Sequence, residues 1–236
     1  YTFTTITSLD ASSGKEKDAQ TYLLGTGNTL YVSEDAIYVS YPRYHPVIYK
    51  GMPQEISPGV AVDAGGSAWV SSSKVSAITP DFNTLPESER ESILDSLRNA
   101  EKDAIQRQEA DQTTTVIHKI GISDGAITYL AKGEVPGTLD NQFSMDEYKD
   151  NLRVATTSSI YTPRFGQYTY NNVYVLDEKM ATIGELTHIA EQETIYSTRF
   201  IGDRLYMVTF KRIDPFFVID LAKPENPKIL GKLKIP

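Results

Sequence analysis

Side chains that can move protons, attack carbonyls or hold metals are sparse in this sequence. Its 236 residues include three histidines, His45, His118 and His188, and no cysteine. Without cysteine there are no thiol nucleophiles, disulfides or cysteine-based metal sites. The histidines are far apart and fall on different elements, whereas a metal centre needs ligands that converge. No metal or cofactor is therefore expected, and His118, inside an apolar run, is read as packed or edge-facing. The spacings of a nucleophile elbow, a zinc protease helix, a phosphate loop and a calcium loop are all missing. Gly25-Thr26-Gly27 ends a strand and does not cradle a phosphate.

Carboxylates are plentiful. The most notable pair is Asp146-Glu147. Glycoside chemistry needs two carboxyls facing each other across roughly 5–10 Å. Neighbours on a strand point to opposite sides, so these two cannot act together. Arg199, Asp203, Arg212 and Asp214 flank the last hairpin and read as a strand-end salt bridge with turn capping. No catalytic residue is assigned. The candidate binding residues are Tyr161, Arg164, Phe165, Tyr168 and Tyr170, in the loop 158–170. Aromatic residues around an arginine suit a binding rim; they equally suit a cover over the strands beneath, and both readings stand.

The elements that must position these groups are strands. Residues 195–236 hold four short runs rich in Tyr, Phe, Val and Ile. Gly202-Asp203, Asp214-Pro215 and the segment 223–227 separate them. Such runs between turn residues are β-strands in a meander. The unit then recurs upstream. Its fourth strand carries a glycine, at Gly231, Gly184, Gly133 and Gly25, which suggests a fixed bend or a close backbone approach. Gly133 and Gly184 are 51 residues apart, and Gly184 and Gly231 are 47 apart. The third strand recurs at 217–220, 173–177, 116–120 and 3–10, commonly closed by an Asp whose carboxylate can cap the next turn. The second recurs at 205–208, 152–154 and 37–39, preceded by Asp203, Asp150 and Asp35, as a tight hairpin requires. Four strands at a period near 50 are blades of a β-propeller.

The fold class expected is thus all-β, a partial propeller of four-stranded antiparallel blades. It counts about three and a half blades, as one repeat-built domain. Residues 1–27 form a half blade, followed by blades at 28–137, 141–190 and 194–236. The segment 51–112 interrupts the first whole blade. Within it, residues 86–109 read as a helix with a Thr84/Glu87 capping box and an apolar stripe of Ile93, Leu97, Ala100 and Ala104. The expectation is a helix packed on the blade rather than one that takes a partner. The tip 41–46 is expected to leave the blade. A closed propeller needs roughly 4–8 blades, so the chain is expected to be a piece of a longer protein. Its open blade ends would expose apolar faces that favour self-association.

The bulk properties narrow the partners. The formal net charge is −8, and phosphate backbones want a basic surface, so nucleic acid is not expected. No run approaches the roughly 20 apolar residues of a membrane span. Fifteen Tyr against one Trp suits half-exposed strands.

Longer motifs carry a resemblance. They are 133–137 (GEVPG), 141–148 (NQFSMDEY), 152–157 (LRVATT), 172–177 (NVYVLD), 195–203 (IYSTRFIGD) and 214–221 (DPFFVIDL). In this order they resemble the secreted β-propeller-domain proteins of archaea and bacteria, distantly similar to WD40 repeats. The resemblance implies a signal sequence and further blades before Tyr1, more blades after Pro236, and an extracellular or cell-surface location. It brings no assigned function and no catalytic residues. The reading is an extracellular binding or scaffold module for a protein or polysaccharide at the cell surface. The alternative is a propeller-based hydrolase whose site lies partly in further blades.

Overall fold

A computed structural model describes residues 1–26, 29–45, 85–92, 113–162, 166–210 and 215–234, and for 161, 162, 166 and 234 the backbone alone. The chain divides into two compact units, residues 1–44, 113–158 and 169–236 in the larger, 45–112 and 159–168 in the smaller.

The larger unit is built from antiparallel sheets that follow one another along the chain. β1 (Thr2–Leu9) and β2 (Glu16–Leu24) pair as a two-stranded sheet. The first four-stranded sheet is β3 (Thr29–Val32), β4 (Ala36–Arg43), β5 (Thr114–Ser123) and β6 (Ala126–Pro136). The second is β7 (Met145–Tyr148), β8 (Asn151–Thr162), β9 (Gly166–Leu176) and β10 (Thr182–Ile189). The third is β11 (Thr194–Ile201), β12 (Arg204–Phe210), β13 (Pro215–Asp220) and β14 (Lys228–Lys234). In each, strands pair in chain order, as in a meander. This is the partial propeller of four-stranded antiparallel blades that the repeat implies.

Tight turns hold the register. Lys149 and Asp150 both have positive φ, 52° and 64°, as do Asp124 and Gly125, at 51° and 85°. Two left-handed residues in a row give the turn whose twist matches the flanking strands. The Asp residues that close third strands cap as their type suggests: the Asp177 carboxylate accepts from the N–H of Lys179 and Ala181, and that of Asp220 from Ala222. Asp10 accepts from the backbone N–H of Ser12 and Ser13, and these bonds with the Ser hydroxyls hold its carboxyl down to about 2.

Alternation along each strand gives every sheet two apolar faces, and the faces meet in three cores. One joins Leu24, Ile6 and Tyr22 of the β1–β2 sheet to Val39, Ile120 and Ile127 of the first four-stranded sheet. The next joins Tyr38, Ile117 and Val135 to Met145, Leu152, Val154, Tyr174 and Leu176. The last joins Ala155, Val173, Val175 and Ile189 to Leu205, Met207, Phe217 and Ile219. Burying such side chains is the main favourable term in folding, at about 25 cal/mol per Å² of apolar surface.

One boundary differs from expectation. The tip at 41–46 does not leave the sheet at Tyr41: β4 continues, pairing Tyr41, Pro42 and Arg43 with Val116, Thr115 and Thr114. The described part of β3 reaches Ser40 on the other side of β4. In the smaller unit, residues 87–92 are helical, with the N–H of Glu89 and Arg90 donating to the carbonyl of Pro86. The rest of the expected helix, and the cap residue Thr84, lie outside the described residues.

Candidate ligand groove at the inner strands

The first strands of the three four-stranded sheets, β3, β7 and β11, border a groove of about 370 Å³. Leu30, Tyr31 and Val32 form one wall, Gln142, Phe143, Met145 and Asp146 a second, and Arg199 and Phe200 the third. Leu30, Val32 and Phe143 are about half exposed there, at 53%, 59% and 49%.

Phe143 is placed from its backbone. It sits in a 3-10 turn, Gln142–Ser144, started by Asn141, whose side chain accepts the Phe143 N–H at 2.8 Å. Its carbonyl accepts from the Thr198 hydroxyl at 2.9 Å, so the third sheet fixes the turn carried by the second. The next residue on β11, Arg199, then lays its guanidinium 4.0 Å from the Phe143 ring centroid, a cation–π geometry. That guanidinium donates to the carbonyl of Thr198 and, among the described residues, pairs with no carboxylate. The expected strand-end salt bridge is formed elsewhere: Asp203 accepts from Lys149 at 3.1 Å. Arg212 and Asp214 lie outside the described residues.

The other charges beside the groove pair within the second sheet and across to the first. Asp146 and Glu147 point apart, as adjacent strand residues do. Asp146 takes the guanidinium of Arg153, which also donates to the carbonyl of Gly202 at 2.6 Å and lies 5.1 Å from the Phe200 ring centroid. Glu147 turns to the first sheet and accepts from the Lys119 ammonium at 2.9 Å, both side chains nearly buried. Its backbone N–H donates to the Tyr31 hydroxyl. Burial pushes the Glu147 carboxyl up, but the Lys119 ammonium bonded to it and the nearby hydroxyls of Ser33 and Tyr38 outweigh that and hold the group below its ordinary value. The adjacent Tyr38 hydroxyl is fully buried, and that burial raises it far above the usual phenol range.

The histidines separate. His118 is buried on the first sheet, its Nδ1 3.0 Å from the Tyr129 hydroxyl and its Nε2 3.3 Å from that of Tyr41. In the neutral ring one nitrogen donates and the other accepts. Burial, with Lys132 and Arg43 nearby, holds its pKa below the ordinary value. His188 stacks on Tyr170, centroids 4.2 Å apart. His45 is exposed. Among the described residues no group of three or more His, Asp and Glu is placed to hold a metal.

The segment 158–170 was expected as a loop, but 158–162 continue β8 and 166–170 begin β9; of the residues singled out there, Tyr168 and Tyr170 lie on β9 and are buried, at 7% and 4% exposure. The Tyr161 side chain lies outside the described set, as do Arg164 and Phe165 altogether. The groove itself escapes sequence reading, because its walls come from segments that lie far apart along the chain. The one local signal was the Asn141 cap ahead of an aromatic residue.

Comparison with known proteins decides the family. The chain matches the model of the Beta propeller domain over residues 1–236. It belongs to this family. It is similar to an uncharacterized protein of Methanocaldococcus jannaschii, 32% identical over 246 residues, covering 98% of this chain and 39% of the relative. It is also similar to an uncharacterized protein of Archaeoglobus fulgidus, 33% identical over 250 residues, covering 98% and 38%. This propeller chain thus spans about two fifths of the length of the curated relatives it matches. No helix among its described residues is long and apolar enough to cross a membrane.

Proposed function

We propose that this propeller chain is an extracellular binding or scaffold module, and that the groove between β3, β7 and β11 is where it takes hold of its ligand. The observation that carries the reading is Arg199. Its charge is uncompensated by any carboxylate among the described residues, it is oriented by Phe143, and it borders exposed apolar surface. An arginine preorganised on an aromatic ring recognises planar acceptors such as carboxylates. The group taken would be an acceptor of that kind beside an apolar one, presented by a protein or a polysaccharide at the cell surface. Asp146, the groove's carboxylate, is held by Arg153 and is not poised as a free acid, which favours binding over hydrolysis. The location outside the cell rests on the family resemblance in the sequence. Tyr168 and Tyr170, which lie on β9, remain proposed contributors together with Tyr161, Arg164 and Phe165.

The test is a glycan array and a displayed peptide library, each probed with the wild-type chain and with Arg199→Ala. The expected result is a ligand class retained by the wild type and weakened by about tenfold or more in the variant. Ligands that bind both proteins equally, or turnover of a glycoside or peptide substrate, would overturn the reading.

A further inference from the structure

We propose that the groove takes the free C-terminus of a peptide, with the terminal carboxylate on Arg199 and an apolar last side chain against Phe143 and Phe200. This rests on the reading of the groove as a ligand site and narrows it to one kind of ligand. Charge is the starting point. Of the described residues that border the groove, Arg199 and Asp146 are the charged ones. Asp146 is already answered by Arg153, which grips it through two nitrogens and gives a third to the Gly202 carbonyl. Arg199, among the described residues, donates only to the carbonyl of its neighbour Thr198. The place where the second and third sheets meet is thus short of one negative charge, and a single carboxylate supplies it.

The rest of the lining fits what stands behind a terminal carboxylate. The last residue of a peptide carries one N–H donor and one side chain. Asp146 uses Oδ2 alone for Arg153; among the described residues its Oδ1 accepts nothing, so it is left for that N–H. Gln142, exposed on the same wall, offers an amide donor to the second carboxylate oxygen. The Phe143 ring is about half exposed, but the guanidinium 4.0 Å from its centroid covers one face. What remains of the ring, with Phe200 beside it, suits an aliphatic side chain better than a sugar that needs a flat platform. Strands wall the groove on three sides, so a chain enters it end first. Every polypeptide ends in a carboxylate, whereas a polysaccharide ends in neutral hydroxyls unless an acidic sugar caps it. Capture of a C-terminal carboxylate is a recurring mode of peptide recognition. The site is also set before the ligand arrives, because the Thr198 hydroxyl ties the turn carrying Phe143 to β11.

The test is binding of the chain to short peptides anchored by their N-termini and ending in each of the apolar residues. Each is made as the free acid and as the C-terminal amide, and an oligosaccharide of uronic acid is run beside them. Arg199→Gln is the comparison protein. The best free acids should bind at least about tenfold tighter than their amides, and Arg199→Gln should erase that difference. The acid–amide comparison is made on the wild type, so it holds whether or not the variant folds. Acids and amides that bind alike, both weakened in the variant, would overturn the terminal carboxylate and leave the groove a ligand site. A uronate oligosaccharide that binds through Arg199 while no peptide does would have the same meaning. Peptide binding indifferent to Arg199, or no binding of any probe, would overturn this inference together with the reading on which it rests.

Discussion

Where the first and second four-stranded sheets meet, a lysine crosses the seam to a glutamate, Lys119 to Glu147. One seam further along, the charged pair stays on one sheet: Arg153 takes Asp146 beside it, and only a hydrogen bond to the Gly202 carbonyl and the contact with Phe200 reach across. The difference lies in what each seam strands when it is cut. Removing Lys119 leaves the Glu147 side chain, 14% exposed, as an unpaired charge; removing Arg153 leaves Asp146, 26% exposed, with more access to water. The first seam therefore depends on its ion pair more steeply than the second.

The largest effect expected follows directly. Lys119→Met should cost about 3 kcal/mol, since breaking a buried pair leaves a charge uncompensated. The double variant Lys119→Met/Glu147→Leu should recover most of that loss, because apolar replacements of a buried pair are often neutral. Denaturant unfolding of the three proteins measures both. Arg153→Met should cost less, about 1–2 kcal/mol; a loss equal to that of Lys119→Met would erase the distinction between the seams.

pH sharpens the same contrast. Glu147 titrates below its ordinary 4.5 in the folded chain. Its contribution is complete above that pH and is lost as the pH falls toward the depressed value. Glu147→Gln should remove this acid-side slope from a plot of melting temperature against pH, and a slope unchanged by the substitution would contradict the assignment. On the seam with the β1–β2 sheet, His118 is held below its ordinary 6.5. It favours the fold while neutral, so its contribution is full above about 6.5 and falls as the pH drops below that value. His118→Gln should flatten this milder window. The smallest effect is Arg199→Ala, within about 1 kcal/mol of wild-type stability, as for an exposed side chain whose contact across the sheets is a cation–π pair with Phe143. A larger loss would mean that Arg199 supports the fold rather than a ligand.

The repeat was legible because it is carried by backbone needs. A glycine where two sheets touch, an Asp that opens a turn and an alternation of apolar residues each follow from local stereochemistry, and each recurs once per unit. The ionic seams were not legible. Tyr38, Arg153 and Tyr206 occupy one position of the repeat, yet one is a buried phenol, one a paired guanidinium and one a partly covered ring. Only at the first of these does the charge beside the side chain come from the neighbouring sheet, as Glu147 beside Tyr38; at Arg153 the carboxylate is Asp146, across the hairpin on the same sheet. The Asp146-Glu147 dipeptide drew notice as possible chemistry, and its two sides hold two seams. Arg199 was read as a salt-bridge residue because Asp203 is near in sequence; the strand instead aims it at Phe143, and Lys149 takes Asp203.

The account's central claim is that the outer-strand glycines exist for the approach of the next sheet. Equilibrium unfolding of Gly184→Val beside Gly231→Val, at low protein concentration, tests it most directly. A Cβ at Gly184 meets backbone atoms of Pro224 and Glu225, and at Gly231 it meets nothing described. The prediction is a loss of more than about 3 kcal/mol, or failure to fold, for the first, and a change within about 0.5 kcal/mol for the second. Equal losses in the two variants would contradict it.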